Sequence, residues 1–386
     1  MTAFFDAVRR HRSLISVSRR LLSPTENKLF TGKESQTGAK LDSASYEALY
    51  AILSNYGFNS TSYLAVEADK RHFFHQQVPG VTAYAQFNNV AITAGEPICE
   101  QNLLKSAIAE FLDFNQQHHR QSVFFEVTEP VVPILQQQGF KFLKLGEEPF
   151  FELDRFTLKG NKMANVRSSG KTASKRGVTV REYCPKAAEA PLINPQLEAI
   201  AHQWLETRGI SELSFTLGTL SLDQPGDRRY FIAEHEQQVI AFLTYTPIYS
   251  RNGVYLDLMR RSEKTPTGTM DLLLSESFRL LGESGVKLVT MGMSPLANVQ
   301  DSPFEQSTNL AAFLHQFSVY GKSFYHFQQM HDFKRKFQPH FWEAKYLAYR
   351  HLGVREVDAI LQAILHQSIG GLAWWLLNQP IHFGPF

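Results

Sequence analysis

Apolar and polar positions alternate along this chain in a way that passes twice through one series of elements. The first pass opens with helical spacing over residues 46–56. Short apolar runs then predict strands at 62–68, 71–76, 81–87 and 89–94, the last two joined tightly at Asn88-Asn89. A helix over 101–117, a buried strand 123–127, a short helix through 134–138, a turn at Gly139-Phe140 and a strand pair 141–145 and 150–153 complete it. The second pass gives strands 229–235, 238–246 and 253–260, a helix 270–281, a strand 287–293 and a helix near 310–320, with Tyr320-Gly321 echoing Gly139-Phe140. The repeat lies in pattern and not in residue identity.

Strands, helix, strand, helix, turn and strand in that order is the element order of an N-acetyltransferase-like (GNAT) fold. The expected class is therefore α/β (α+β), with two tandem copies whose mixed, mainly antiparallel sheets are flanked by helices. Residues 1–45 are expected to be a basic N-terminal helix and linker, 46–158 the first domain, 159–350 the second and 351–386 a helical tail. At 386 residues the chain is longer than one core usually sustains, which agrees with two domains.

Net charge is only +2, so any polyanion site has to come from local clustering. Two stretches cluster it. Residues 4–22 place five arginines among apolar positions, a helix that either lies in an anionic membrane interface or docks on its own domain. Residues 158–181 carry Lys159, Lys162, Arg167, Lys171, Lys175, Arg176 and Arg181 and no carboxylate. That stretch reads as a surface for phosphates of a nucleic acid or anionic lipid, or as a solvated interdomain helix. No early run has the form of a signal peptide and no late run the length of a membrane span, which places the chain in the cytoplasm. Trp374 and Trp375 in the tail read either as an interfacial anchor or as part of a helix capping the second core.

The familiar catalytic motifs are absent. There is no HExxH or CxxC, and only two cysteines, so no metal site is expected. Gly170-Lys171 lacks the earlier glycine of a phosphate-cradling loop, and Pro295 stands where a G-x-S-x-G elbow needs its second glycine. A coenzyme A enzyme of this fold opens its cofactor helix with Q/R-x-x-G-x-G/A. Here that place reads Thr265-Pro266-Thr267-Gly268-Thr269, which points to another acyl donor. What remains is Asp257 and Arg260 on one strand. Simple alternation faces them apart, so they share a site only if the strand bulges or ends near Met259. A buried structural ion pair is the other reading.

At these residues the sequence resembles the C-terminal catalytic domain of the lysylphosphatidylglycerol synthetases, also called multiple peptide resistance factors. The resemblance rests on YGFNSTSYLAVEADKRHFF from Tyr56, GFKFLKLGEEPFFELDRFTLKGNKMANVR from Gly139, FTLG from Phe215, VYLDLMRR from Val254, GTMDLLL from Gly268, MGMSPL from Met291 and FKRKFQPHFWEAKYLAY from Phe333. It implies transfer of an amino acid, lysine or alanine, from an aminoacyl-tRNA co-substrate to the glycerol hydroxyl of phosphatidylglycerol or a related lipid. It implies no further cofactor, because the donor ester is already activated.

The resemblance also implies Asp257, Arg260 and Lys336 as catalytic residues, and Gly292, Ser294, Tyr325, Lys334, Lys162 and Arg167 as substrate-binding ones. Arg260 and Lys336 would hold the lipid phosphate or the oxyanion, and Asp257 would orient the acceptor hydroxyl or the aminoacyl amine. An unperturbed aspartate, with pKa ~3.9, is a poor base for an alcohol, so Asp257 positions rather than deprotonates unless burial raises its pKa. Expected partners are charged tRNA, an anionic phospholipid at the inner face of the membrane, where the protein sits peripherally, and a separate membrane flippase. His326 and His331 stand where the family commonly has Asn and Arg, which bears on amino-acid or lipid choice. The rival readings are a peptidoglycan-type aminoacyltransferase, a coenzyme A dependent acyltransferase, and a non-catalytic lipid- or RNA-binding relative.

Overall fold

The computed structural model describes residues 41–208, 215–304 and 327–365. The helices expected at 4–22 and 310–320, Tyr325 and the tryptophans of the tail lie outside these residues.

The first half runs α1 (Ser43–Tyr56), a 3-10 turn (Ser62–Val66), β1 (Arg71–Phe74), β2 (Gly80–Phe87), β3 (Val90–Ala94), β4 (Ile98–Cys99), α2 (Leu104–Gln117), β5 (Gln121–Val127), α3 (Val132–Gln137) and β6 (Lys141–Glu152). The second runs α4 (Ala164–Lys175), β7 (Thr179–Tyr183), α5 (Ala190–Arg208), β8 (Arg229–His235), β9 (Gln238–Ile248), β10 (Gly253–Arg261), α6 (Thr269–Glu283), β11 (Leu288–Thr290), β12 (Ser294–Pro295), α7 (Phe327–Arg335), β13 (Phe341–Tyr349) and α8 (Val354–Leu365). Each half holds one parallel pair closed by a helix, β3–α2–β5 and β10–α6–β11. The inward face of α2 (Ala107, Ile108, Phe111) packs on Phe124 and Phe140, and that of α6 (Leu273, Leu274, Phe278) on Phe151 and Val289. The apolar 3.6-residue period of each helix is what buries these faces.

The strands form one sheet in the order β1-β2-β3-β5-β13-β6-β11-β10-β9-β8-β7, with β4 beside β2 and β12 beside β6. Late in the chain, β13 inserts between β5 and β6 of the first half. The halves are therefore sewn together by backbone ladders, and the seam between them is buried.

Several elements depart from the periodicity, among them the strands β4, β7, β12 and β13, which it does not predict. The run expected as a strand at 62–68 is the 3-10 turn, with Ser62, Tyr63, Leu64 and Ala65 all buried. A short apolar run does not distinguish a buried strand from a buried helical turn. The strand pair expected on either side of Gly146 and Pro149 is the single strand β6. Pro149 is accommodated because it falls between the β11 pairing, which ends at Phe150, and the β12 pairing, which starts at Glu147. Helix α5 has no counterpart in the expected order. It carries Pro195 inside it, yet Ile193, Leu197 and Ile200 pack on β8 and β9.

Candidate active site

Strand β10 supplies the centre of the site through a bulge. Its pairing with β9 steps from Leu256↔Tyr245 to Leu258↔Thr244, leaving Asp257 as the extra residue. The Leu258 amide, displaced from the ladder, donates to the Thr244 hydroxyl at 3.0 Å. Before the bulge Val254 and Leu256 face the α6 core, whereas after it Leu258 packs with the α5 core and Met259 against the α6 core. The bulge thus turns the strand over, and Asp257 and Arg260 come to one face. Of the two conditions alternation set for a shared site, the bulge is the one met.

Both side chains are buried. Asp257 Oδ1 accepts the Gly218 amide at 2.6 Å, while Oδ2 is buried with no hydrogen-bond donor among the described residues. Burial pushes the Asp257 carboxyl up to about 7, against the pull of the Gly218 amide, Arg228 and Arg260. A carboxylate tuned to neutrality is able to take a proton from an alcohol and return it. The Arg260 guanidinium stacks over the Trp204 ring of α5, 3.5 Å from its centroid. That contact holds its plane and leaves its charge beside Asp257.

The first half reaches this face through Glu67, just after the 3-10 turn. Glu67 is buried, forms an ion pair with Arg228, and accepts from the Thr219 hydroxyl at 3.0 Å. Gly218 is required here by close approach, since a Cβ on it would stand 2.3 Å from Asp257 Oδ2 and 3.0 Å from Glu67 Oε1.

A second polar cluster fills the seam. Lys345 of β13 pairs with Glu148 of β6 at 2.9 Å and donates to Asn59 Oδ1 at 2.7 Å. Glu148 also accepts from Ser60 and Thr290. Lys334 buries its ammonium on the Gly292 and Met293 carbonyls, each at 2.8 Å, and burial lowers its pKa to about 7. Glu126, pushed up to about 7 by burial, is held at φ +59° in β5. Ser294 Oγ is buried with no partner among the described residues.

The expected site residues thus fall into groups. Asp257 and Arg260 share one face, and Gly292, Ser294 and Lys334 lie together at the seam. Lys336 pairs with Asp271 in the first turn of α6 at 2.5 Å, its ammonium over Phe333. Lys162 and Arg167 are exposed at the start of α4, where Arg167 donates to the Gly160 carbonyl at 3.1 Å. Glu67, Arg228 and Lys345 were not read as site residues. Their partners lie far away in sequence, 152 residues for Glu67 and Thr219, and no local spacing could signal them.

The N-terminus of α6, the place of pyrophosphate in a coenzyme A enzyme of this fold, lies against α4. A Cβ on Gly268, at φ +89°, would lie 2.1 Å from the Ser169 carbonyl oxygen of α4, and the first turn carries the carboxylate of Asp271.

Two crossover units on one sheet, with a carboxylate and a guanidinium on a bulged strand, define an α/β protein of the acetyltransferase-like class. The family described as "Phosphatidylglycerol lysyltransferase, C-terminal" matches residues 50–349, and the chain belongs to it. The chain is similar to phosphatidylglycerol lysyltransferase of Bacillus subtilis (strain 168), 30% identical over 313 residues, covering 80% of this chain and 35% of that protein. The enzyme of the same name from Staphylococcus haemolyticus is 26% identical over 301 residues, again with 35% of its length covered. The chain thus spans about a third of these relatives, whose name denotes an aminoacyltransferase. Among solved structures, L-PGS from Bacillus licheniformis superposes with a TM-score of 0.72 at 29% identity, covering 85% of this chain and 98% of that one.

Proposed function

We propose that this chain transfers an amino acid, lysine or alanine, from aminoacyl-tRNA to the glycerol hydroxyl of phosphatidylglycerol. The observation that carries the reading is Asp257, a buried carboxylate tuned to about 7 with one oxygen unoccupied by any described donor, beside a guanidinium on the same face. The acceptor hydroxyl gives its proton to Asp257 Oδ2 as its oxygen attacks the aminoacyl ester carbon. Arg260 stabilises the oxyanion of the tetrahedral intermediate. Collapse breaks the bond to the tRNA ribose oxygen, which takes the proton back from Asp257. Thr265-Pro266-Thr267-Gly268-Thr269 before α6, in place of a Q/R-x-x-G-x-G/A loop, supports a donor other than coenzyme A.

Helix α4 is the proposed tRNA-facing surface. Val166, Gly170 and Ala173 are its buried side, while Lys171 and Lys175 are exposed along it and Lys162 and Arg167 at its start. Among the described residues none of these four cations makes an ion pair with a carboxylate. Lys336, one-third exposed, is the proposed guide for the lipid phosphate. Among the described residues no helix is long and apolar enough to cross a membrane, and the proposed location is peripheral, at the lipid surface that holds the acceptor. A separate flippase would then move the product.

Expression in a host without aminoacylated lipids, followed by mass spectrometry of extracted lipids, tests this. An aminoacyl phosphatidylglycerol that disappears with Asp257→Asn is expected, and its mass reports which amino acid is carried. An unchanged lipid profile with well-folded protein would refute the reading.

A further inference from the structure

Glu67 and Asp257 come from different halves of the chain and meet at Gly218, where a Cβ would stand 2.3 Å from Asp257 Oδ2 and 3.0 Å from Glu67 Oε1. Glu67 is tied down at three points: its Oε1 pairs with Arg228 and lies 3.4 Å from the Thr219 amide, and its Oε2 accepts from the Thr219 hydroxyl at 3.0 Å. Arg228, over the Tyr63 ring at 5.2 Å, is the cation the two carboxylates share. The charged and titratable groups that face Asp257 are Arg260 from its own strand, Arg228 before β8, Tyr230 on β8 and Glu67 after the 3-10 turn. Lys70 also interacts electrostatically with Glu67.

We propose that Glu67 is a positioning residue for the transfer, acting through Arg228 and the Gly218-Thr219 turn to keep Asp257 able to accept and return a proton. This rests on the transfer reading of Asp257. The physical basis is charge balance. Arg228 unpaired would favour the ionised form of Asp257 and make it too weak a base. With Glu67 bound to it, its field at Asp257 is largely cancelled, and the second carboxylate itself opposes ionisation. In agreement, Glu67 acts to raise the Asp257 carboxyl while Arg228 acts to lower it. The Gly218-Thr219 turn makes the coupling stiff, because adjacent residues bind the two carboxylates.

The test compares wild type, Glu67→Gln and Glu67→Asp by two readouts. One is the single-turnover rate of transfer across pH 5–9. The other is the 13C titration of the Asp257 carboxyl, assigned with Asp257→Asn. In Glu67→Gln both the rate limb and the carboxyl titration are expected to move to lower pH by about one unit, a roughly tenfold loss of proton affinity. Glu67→Asp, which keeps the charge, is expected to return both toward wild type. A purely structural Glu67 would lower the rate at every pH and leave the titration where it was, which would overturn the proposal. If Glu67→Gln does not fold, Arg228→Gln decides: with the shared cation gone and the Glu67 charge left, the Asp257 titration should move to higher pH, and a titration that stays at the wild-type position overturns the coupling. A wild type that makes no aminoacyl lipid refutes the transfer reading, while the carboxyl titration still judges Glu67 separately.

Discussion

Asp257→Asn should separate activity from stability in a way that pH exposes. Burial raises the Asp257 carboxyl from 3.8 to about 7, so the folded state binds this proton more tightly than the unfolded state does. For an acid displaced upward, the contribution to stability is complete below about pH 4 and is lost as pH rises through 7. The loss runs at about 1.4 kcal/mol per pH unit between the two values. Over pH 5 to 8 the wild type should therefore lose about 3 kcal/mol relative to Asp257→Asn, which carries no ionisable group and has almost the same shape. Urea unfolding of both proteins at the two pH values measures the difference. In parallel, transfer by the variant should fall by at least about 100-fold, the scale of a lost general base. A stability difference that stays constant with pH would refute the burial argument. An active Asp257→Asn would refute the catalytic one.

Other consequences follow from the same geometry. Gly218→Ala places a methyl against Asp257 Oδ2 and Glu67, so unfolding should come about 1–3 kcal/mol earlier and kcat/KM should fall more than about tenfold; wild-type melting and rate would show that the turn does not press on the acids. Lys334 has the opposite sign of linkage. Its folded pKa is lowered to about 7, so its charge penalises folding below pH 7 and the penalty fades as pH rises toward 10.5. Thermal melts of Lys334→Met should therefore compare best with wild type near pH 6 and worst near pH 10. Replacing Lys162, Lys171 and Lys175 together with Gln should flatten the slope of log tRNA affinity against log salt by about 2–3 while leaving the single-turnover rate at saturation unchanged.

The bulge shows what the sequence could and could not say. Asp257 and Arg260 stood out because charges in an apolar strand need a reason, and the strand reading also stated the condition under which they could share a face. Whether the chain met that condition depended on Thr244, whose hydroxyl takes the displaced amide from the neighbouring strand. The crossovers β3–α2–β5 and β10–α6–β11 were legible because 3.6 and 2.0 periods alternate cleanly there. The insertion of β13 between β5 and β6 was not. Residues 341–349 fall after the last element of the second pass, and only register with Glu148 and Lys144 on β6 specifies their place. Glu67, Arg228 and Lys345 were silent for the same reason. A buried charge declares itself only through a partner, and theirs are supplied by the other half of the fold.

The central claim is that Asp257 moves a proton while an aminoacyl group passes from tRNA to lipid. Purified protein mixed with phosphatidylglycerol vesicles and tRNA charged with radiolabelled lysine or alanine tests it most directly. The expected result is label in the lipid fraction, rising with pH through a limb near 7 that vanishes in Asp257→Asn. Label that stays on the tRNA with folded wild-type protein, for both amino acids, would contradict it.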